Sequence, residues 1–185
     1  KERELTSLKG GGISTPDMPD GRFNVVLADP PWFYDFSVSD SREIENQYPT
    51  LPLKDIKDLG DKIPSADNAV LYLWTPAPKL KEALEVMEAW GFDYKSNLLW
   101  DKEIIGMGYW ARSQHEHLLI GTKGNFSPPT ESTRISSIIK SHRTNHSKKP
   151  DSIYDLLERQ FPEAKFLELF ARDNKREKWT SWGNG

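Results

Sequence analysis

Apolar runs alternate along the chain with segments in which apolar residues recur every three or four positions. Runs rich in branched and aromatic residues predict buried strands, whereas the three-to-four spacing predicts helices that are apolar on one face. The alternation of the two favours an α/β fold with a mostly parallel sheet. We predict strands at Phe23–Ala28, Ala69–Trp74, Phe92–Trp100, Glu116–Gly121, Lys165–Phe170 and Trp179–Trp182.

Three helices are predicted between these strands. The first lies within residues 53–60, the second within residues 80–91, and the third begins at Pro150 and ends before Pro162. Glycine follows the first two helices and proline opens the third. Both placements are common, because glycine adopts the left-handed backbone readily and proline needs no N–H partner in the first turn.

The chain has 185 residues, enough for one domain with a substantial core. We expect residues 1–22, which include three consecutive glycines, to form a flexible lead, and residues 23–185 to form a single domain. The segments Phe33–Tyr48 and Phe126–Lys149 are predicted to be lids or substrate-contacting surfaces, because connections in compact domains are usually shorter.

The net charge of −3 argues against a protein that is basic overall and binds nucleic acid with its whole surface. The charge is unevenly distributed, however. Residues 29–68 hold nine acids and four bases, whereas residues 123–149 hold six bases and one acid. The basic stretch can attract a polyanion through counterion release; a solvated loop with no partner is the alternative.

The chain contains no cysteine, which excludes a disulfide framework and a thiolate metal site and fits a cytoplasmic protein, or a nuclear one in a eukaryote. No apolar stretch is long enough to span a bilayer, so we expect no membrane partner. The histidines include two close pairs, His115 with His117 and His142 with His146. Without cysteines or a clustered third ligand, we predict no metal site.

Asp29-Pro30-Pro31-Trp32 directly follows the first predicted strand. The carboxylate can accept a hydrogen bond from an amino group, and the tryptophan ring offers a face to a flat base. Each proline fixes its own φ and lacks an N–H, so we expect the turn to present carbonyl acceptors without a competing donor. The tetrad suits a site that holds an amine-bearing ring while a group is transferred to its nitrogen. A proline turn with a core tryptophan is the alternative.

The carboxyl ends of parallel strands meet at one edge of a sheet, where ligands of such sheets bind. Asp29 follows the first predicted strand and Arg172 follows the fifth. We therefore expect both residues at the same edge.

Further motifs follow the tetrad Asp29–Trp32 along the chain. They are Tyr48–Thr50, Gly106–Arg112, Glu116-His117, Gly121–Gly124, Ser147–Pro150 with Tyr154, Glu168–Arg172, Trp179 and Gly183-Asn184. In this order the motifs resemble those of the MT-A70 family of S-adenosylmethionine-dependent adenine N6-methyltransferases, from about Phe23 to Asn184. The resemblance implies a Rossmann-like class I methyltransferase fold that is circularly permuted. The compact chain resembles prokaryotic or phage members.

The resemblance implies S-adenosyl-L-methionine as cofactor and methyl transfer to N6 of adenine in nucleic acid. The catalytic residues that it implies are Asp29, Pro30, Pro31 and Trp32, with Asp29 as the acceptor that positions N6. The cofactor contacts that it implies are Asp29, Lys149, Phe170, Arg172, Asn174 and Asn184. The expected substrate contacts are Trp32, Tyr48, Trp110, Arg112 and Glu116. Trp32 and Tyr48 would sandwich the base, and a core role is the alternative for each.

Among nucleic acids, DNA is favoured over RNA, because no RNA-binding module is attached to the compact chain. The resemblance also implies that pairing with a second copy or a related subunit is common. Alternatives are an RNA adenine methyltransferase, a non-catalytic relative that serves as a nucleic-acid-binding partner, and methylation of a small molecule or a protein amine. The intact tetrad, together with Lys149, Arg172 and Asn184, favours an active enzyme.

Overall fold

A computed structural model describes residues 16–34, 50–144, 148–171 and 176–183. Three α-helices lie within these ranges, at Leu53–Asp58 (α1), Leu80–Ala89 (α2) and Ser152–Gln160 (α3). Short 3-10 turns occupy Gly60–Lys62, Ala77–Lys79 and Glu131–Thr133. The strands of these ranges are Phe23–Ala28 (β1), Ser65–Pro76 (β2), Asp93–Asp101 (β3), His115–Lys123 (β4), Ile138–Lys140 (β5), Phe166–Leu169 (β6) and Trp179–Trp182 (β7).

The strands form one sheet in the order β5-β3-β4-β2-β1-β6-β7. β1 pairs in parallel with β2 and β6, β6 with β7, and β3 with β5. Among these described strands, β4 alone runs antiparallel to both of its neighbours, β2 and β3. The α/β prediction with a mostly parallel sheet is therefore confirmed, and the architecture is consistent with a Rossmann-like methyltransferase fold.

The predicted helices and the six predicted strands are all present, with shifts at their ends. β2 begins at Ser65, four residues before the predicted start, because its polar first residues carry no apolar signal. β5 was not predicted. It has three residues, of which Ile138 and Lys140 are exposed, and it pairs with the edge strand β3. A strand this short leaves no detectable periodicity.

The sheet is apolar on both faces, which explains the continuous apolar runs of its central strands. Val26 of β1 faces a cluster that includes Val86 and Met87 of α2. Its neighbour Val25 faces the opposite cluster, which includes Ile153 and Leu157 of α3. Successive side chains of a strand point to opposite faces, so each central strand contributes to both layers. No helix in the described ranges is long and apolar enough to cross a membrane.

The parallel pairing of β1 and β6 brings their carboxyl ends together. Ala28 lies opposite Leu169, and the Asp29 N–H donates to the Leu169 carbonyl at 3.4 Å. β3 runs in the same direction as β1, since β4 is antiparallel to both β2 and β3. The carboxyl ends of β1, β2, β3 and β6 and the beginning of β4 thus share one edge, which we call the site edge. Residues that follow β1 and β6 meet there as predicted, although Arg172 itself lies outside the described residues.

Candidate active site

Asp29 and the two prolines after it turn the chain away from β1 at the site edge. Pro30 is buried, whereas the Asp29 side chain is 26% exposed. Because each proline restricts its own φ, the turn has few alternative conformations. The Asp29 carboxylate is thus held at a rigid strand end and remains partly accessible to a ligand.

The two proline carbonyls are not without donors, which corrects the sequence-based expectation. The Trp32 N–H donates to the Pro30 oxygen at 2.9 Å, and the Leu51 N–H donates to the Pro31 oxygen at 2.9 Å. The prolines lack N–H groups themselves, but the chain that follows supplies them. A carbonyl oxygen has two lone pairs, so the Pro30 oxygen can still accept a second hydrogen bond.

Trp32 packs in the hydrophobic core beneath the turn. Its ring is 7% exposed, and its indole N–H donates to the Trp74 carbonyl at 3.2 Å. A side chain buried this far holds the turn in place but offers little surface to a base. The structure thus favours the core role of Trp32, and its stacking role stays a prediction. Tyr48, the other predicted side of the sandwich, lies outside the described residues.

A chain of alternating charges begins at Asp29 and crosses the site edge. Lys149 Nζ lies 3.3 Å from Asp29 Oδ2 and 2.9 Å from Glu116 Oε2. Lys102 Nζ lies 2.7 Å from the other oxygen of Glu116, Oε1. Lys149 comes from the segment before α3, Glu116 from the beginning of β4, and Lys102 from the residue after β3. Four separate segments therefore supply one connected group of charges.

The two central members of this series, Glu116 and Lys149, stay ionised near neutral pH. Burial alone would raise the pKa of Glu116, but Lys149 and Lys102 outweigh burial and lower that pKa below its ordinary value. Burial alone would lower the pKa of Lys149, but Asp29 and Glu116 outweigh it and raise that pKa. Lys149 also lies over the Trp74 ring, with Nζ 5.6 Å from its centroid, and Lys102 lies 5.3 Å from the Trp100 ring centroid.

Glu116 was predicted to contact substrate, and Lys149 to contact the cofactor. Both are at the site edge, and they contact each other. Each oxygen of Glu116 has a lysine partner, whereas Lys149 contacts two carboxylates with three N–H donors. Among the described residues, the Lys149 ammonium thus pairs with two carboxylates and lies over the Trp74 ring, and its contact with the cofactor stays a prediction.

Phe170 directly follows β6 and has a φ of 60°. This left-handed conformation is uncommon for a residue other than glycine, and strained backbone of this kind concentrates at functional sites. Its ring lies edge-to-face on Trp182 with centroids 5.5 Å apart. The predicted cofactor residue Phe170 is thus at the site edge. The other predicted cofactor residues Arg172, Asn174 and Asn184 lie outside the described residues.

Two charged residues near the site edge were not among the site residues predicted from the sequence. Lys102 is one, and its position directly after a strand that ends at the site edge was the signal that could have found it. Glu168 of β6 is the other; it is nearly buried and accepts a hydrogen bond from the Tyr154 hydroxyl at 2.7 Å. Burial and the Glu168 charge raise the pKa of Tyr154, so this phenol stays neutral.

A pocket of about 280 Å³ opens beside Lys149. Trp100 forms one wall, and the Trp100 indole N–H donates to the Ser141 carbonyl at 2.8 Å. Lys148 lies on the lining and forms an ion pair with Asp151 at 3.0 Å. The pocket is therefore close to Lys149, and cationic groups are part of its wall.

Trp110 and Arg112 are not among the residues that line this pocket, and their role as substrate contacts stays a prediction. They lie on the loop between β3 and β4, Lys102–Gln114, which we call the hairpin loop. Trp110 is 103% exposed and Tyr109 is 93% exposed. The Gly106 N–H donates to the Ser113 carbonyl at 2.8 Å, so the loop extends the β3–β4 pairing beyond the ends of the two strands. Both aromatic side chains are exposed at the protein surface.

The described residues contain no group of three or more His, Cys, Asp or Glu side chains that could hold a metal ion. His115 and His117 stack edge-to-face with ring centroids 5.1 Å apart. Burial and the neighbouring His115 lower the pKa of His117. His146 lies outside the described residues.

Comparison with known proteins gives consistent matches. The model of the MT-A70 family matches residues 23–185. The Type II methyltransferase M.MunI of Mycoplasma sp is 32% identical over 186 residues, which is 91% of this chain and 79% of that protein. The N(6)-adenosine-methyltransferase MT-A70-like of Arabidopsis thaliana is 33% identical over 89% of this chain and 24% of the plant protein. The N(6)-adenosine-methyltransferase catalytic subunit METTL3 of Homo sapiens is 31% identical over 89% of this chain and 28% of the human protein. The chain thus spans most of M.MunI and about a quarter of the length of these two eukaryotic relatives.

Proposed function

Because this chain belongs to the MT-A70 family, we propose that it transfers a methyl group from S-adenosylmethionine to N6 of adenine in a polynucleotide. The observation that carries the proposal is the position of Asp29. Its carboxylate lies partly exposed at the rigid end of β1, 3.3 Å from the Lys149 ammonium and beside the end of β6. A site for amine methylation needs an acceptor for the amine and a place for a cationic methyl donor next to it.

The residues at the site edge fit S-adenosylmethionine. Lys149 has a hydrogen to offer to the methionyl carboxylate, and Phe170 offers an aromatic ring to the adenine of the cofactor. Both lie beside Asp29, at the ends of neighbouring elements. When bound, S-adenosylmethionine supplies an electrophilic methyl group on a sulfonium. We propose the same role for Arg172, Asn174 and Asn184 that the sequence analysis assigned to them.

The Asp29 carboxylate and the Pro30 carbonyl act on the adenine amino group. The N6 lone pair is delocalised into the ring, so N6 is a weak nucleophile. Hydrogen bonds from its two N–H groups to these acceptors favour a pyramidal nitrogen whose lone pair is localised. Positive charge develops on N6 during transfer, and the Asp29 charge stabilises it without reorganisation. Asp29 need not remove a proton first, because the methylated amine is acidic enough to lose its proton to water afterwards.

Lys149 orients the Asp29 carboxylate, because its ammonium lies 3.3 Å from Asp29 Oδ2. The carboxylate has lone pairs on both oxygens, so it can accept from Lys149 and from the adenine amino group together. Trp32 supports the turn from the core, as its hydrogen bond to Trp74 indicates. We retain Tyr48 as the proposed stacking partner of the base.

We propose DNA as the polynucleotide. The Type II methyltransferase M.MunI, of which this chain covers 79%, supports this choice over the longer N(6)-adenosine-methyltransferases. Such an enzyme works where the DNA is, in the cytoplasm of a prokaryotic cell or the nucleus of a eukaryotic one. A target adenine in a duplex must leave the base stack, which costs a few kcal/mol.

The hairpin loop is the proposed surface contact with the polynucleotide. Its exposed Tyr109 and Trp110 can stack on bases, and Arg112 can meet a phosphate. The neighbouring chain is basic and lies against the base of the loop, since the Arg143 N–H donates to the Lys102 carbonyl at 3.2 Å.

Nucleoside mass spectrometry tests the proposed function directly. The chain is expressed in a host without adenine methylation, and nucleosides from DNA and RNA are quantified separately. We expect N6-methyladenine in DNA with the wild-type chain and a loss of about a hundredfold or more with Asp29→Asn, as for other groups that stabilise transition-state charge. Asp58→Asn, a surface change on α1, is the matched control. Methylation confined to RNA would reject DNA as the substrate, and an unaffected Asp29→Asn would reject the mechanism.

The hairpin loop also favours a second role, pairing with another copy or a related subunit. Ile105, Met107 and Trp110 are largely exposed, and aromatic residues and methionine are enriched at protein interfaces. Light scattering of the wild type and Trp110→Ala decides between the two roles. A dimer that dissociates in the variant supports pairing, whereas an unchanged mass with weaker DNA binding supports polynucleotide contact.

A further inference from the structure

We propose that Lys102 is a positioning residue of the methyl-transfer site and acts on Asp29 through Glu116 and Lys149. The inference rests on the proposed function, because it assigns a further residue to the same site. Lys102 contacts neither Asp29 nor the proposed position of the base. Its effect on Asp29 is transmitted through the contacts of Lys102 with Glu116, of Glu116 with Lys149, and of Lys149 with Asp29.

The two carboxylate oxygens of Glu116 contact two different lysines. Lys102 Nζ lies 2.7 Å from Oε1, and Lys149 Nζ lies 2.9 Å from Oε2. The side chains of Lys102, Glu116 and Lys149 are 15%, 11% and 15% exposed, so water screens these contacts poorly. With both oxygens bound, the Glu116 carboxylate has one orientation and presents a single oxygen to Lys149.

The Lys149 ammonium contacts both Glu116 and Asp29, but at different distances. It lies 2.9 Å from Glu116 but 3.3 Å from Asp29. Without Lys102, Glu116 would offer Lys149 both oxygens and an otherwise uncompensated negative charge. Lys149 would move toward Glu116 and away from Asp29. Asp29 would then lose a partner that orients it, and a displacement of about 1 Å in a reacting site can cost about a hundredfold in rate.

The other end of β4 offers a matched control for this lysine. Lys123 Nζ lies 5.4 Å from the Phe92 ring centroid, much as Lys102 Nζ lies 5.3 Å from the Trp100 ring centroid. Lys123 also donates to the Ser65 hydroxyl at 2.6 Å. Both lysines are thus partly buried and packed on an aromatic ring, but Lys123 lies at the edge opposite the site.

Steady-state methylation of adenine-containing DNA by three variants tests the inference. We expect Lys102→Met to lower kcat by about ten- to a hundredfold. The dissociation constant for S-adenosylmethionine, measured by calorimetry, should change much less. Lys102→Arg keeps the charge and should restore most of kcat. Lys123→Met, at the opposite edge of the sheet, should leave kcat at the wild-type value. Melting temperatures of all variants report whether each is folded.

A pH profile separates positioning from loss of packing. The groups that face Glu116 are Lys102, Lys149, Asp29 beyond Lys149, and Tyr34, whose phenol stays neutral because burial and nearby carboxylates raise its pKa. Since Lys102 lowers the pKa of Glu116, its removal lets Glu116 take up a proton at higher pH. We expect the acidic limb of the kcat profile of Lys102→Met to move to higher pH. Loss of packing alone would lower kcat equally at every pH.

A double variant keeps the inference testable even if Lys102→Met fails to fold. Lys102→Met/Glu116→Gln leaves no unpaired charge at Glu116, and if Lys102 acts through Glu116 it should be no less active than Glu116→Gln alone. The inference would be overturned if the losses of kcat from the two single changes multiplied in the double variant. It would also be overturned if Lys102→Met had the same kcat as Lys123→Met. Either result would leave the proposed function standing. A wild-type chain without methyl transfer in the same assay would instead overturn the proposed function, and the inference with it.

Discussion

Asp29 shows how little a single residue explains without its partners. On its own it is a carboxylate after a strand, which any proline turn could contain. Its partner Lys149 lies far away in sequence and comes from the segment before α3. The pair is in turn linked to Glu116 of β4 and, through Glu116, to Lys102 after β3. The chemistry of one carboxylate therefore depends on three further segments of the chain.

Glu116 is the residue whose removal should destabilise the protein most among these charges. Glu116→Gln would leave Lys102 and Lys149 nearly buried without a shared counter-charge. Removal of one partner from a buried pair typically costs about 3–5 kcal/mol. We expect the free energy of unfolding, measured in urea at neutral pH, to fall by about 3 kcal/mol. Asp58→Asn, which removes an exposed partner of Lys54, should leave the free energy of unfolding unchanged.

The stability that Glu116 contributes should depend on pH in a defined direction. The pKa of Glu116 lies below its ordinary value in the folded state, so the folded protein binds a proton there less readily than the unfolded chain. Its contribution is present above the ordinary carboxyl pKa and is lost as the pH falls through the lowered one. The free energy of unfolding in urea should therefore differ less between the wild type and Glu116→Gln at about pH 3 than at about pH 7. A difference that grows in acid would contradict the assigned direction.

At the scale of elements, the packing of α2 on β4 depends on the absence of a side chain. A Cβ built at Gly121 would lie 2.6 Å from the Met87 sulfur, and Met87 is 1% exposed. Gly121 thus lets the helix approach the sheet closely. This is a packing requirement, since the φ of Gly121 is one that other residues adopt.

Gly121→Ala and Met87→Ala form a double-mutant cycle that tests this packing. Gly121→Ala should destabilise by about 1–3 kcal/mol through overpacking, and Met87→Ala by about 2–5 kcal/mol through the cavity that it leaves. Together they should cost clearly less than the sum, because the new methyl group occupies part of the cavity. Thermal or urea unfolding of the four proteins measures the coupling. Simple additivity would mean that the two side chains do not meet.

The whole molecule separates its charges along the chain. Part of the basic stretch, including Lys140 and Lys149, lies at the site edge, whereas Lys123 lies at the opposite edge. The acidic stretch of residues 29–68 and the basic stretch of residues 123–149 largely cancel in the net charge of −3. A polyanion near the basic stretch is still attracted to it. The acidic residues that lie more than about 10 Å away repel it only weakly, because their charges are screened at ordinary salt. The local charge therefore matters more for a polynucleotide than the net charge.

Polynucleotide binding should therefore weaken steeply with salt. We expect Lys140→Gln/Arg143→Gln to lower affinity for an adenine-containing duplex regardless of its sequence. The slope of log affinity against log salt concentration should become shallower by the amount that corresponds to about two lost phosphate contacts. Fluorescence anisotropy between about 50 and about 200 mM salt measures both quantities. Lys54→Gln/Lys57→Gln, which removes two lysines from the acidic stretch, is the matched control. Equal behaviour of the two double variants would place the polynucleotide elsewhere.

Most of the fold could be predicted, and the site only in part. Strands such as β1 and helices such as α2 are recognised by local periodicity, so their existence followed from neighbouring residues alone. Trp32 could not be assigned in this way. A tryptophan after a strand fits both a core and a stacking role, and the hydrogen bond to Trp74 that favours the core joins the turn after β1 to β2, 42 positions along the chain. Trp110 poses the same problem, because only the direction of the hairpin loop decides whether it lines a pocket.

By itself the sequence determined the alternation of strands and helices, and it put Asp29 at the end of a buried strand where ligands bind. Both depend on interactions between residues close in the chain. The tertiary structure decided that Asp29, Lys149, Glu116 and Lys102 form one connected group, and that the hairpin loop points its aromatic side chains outward. These features depend on the order of strands in the sheet, which brings distant residues together through burial of the whole core.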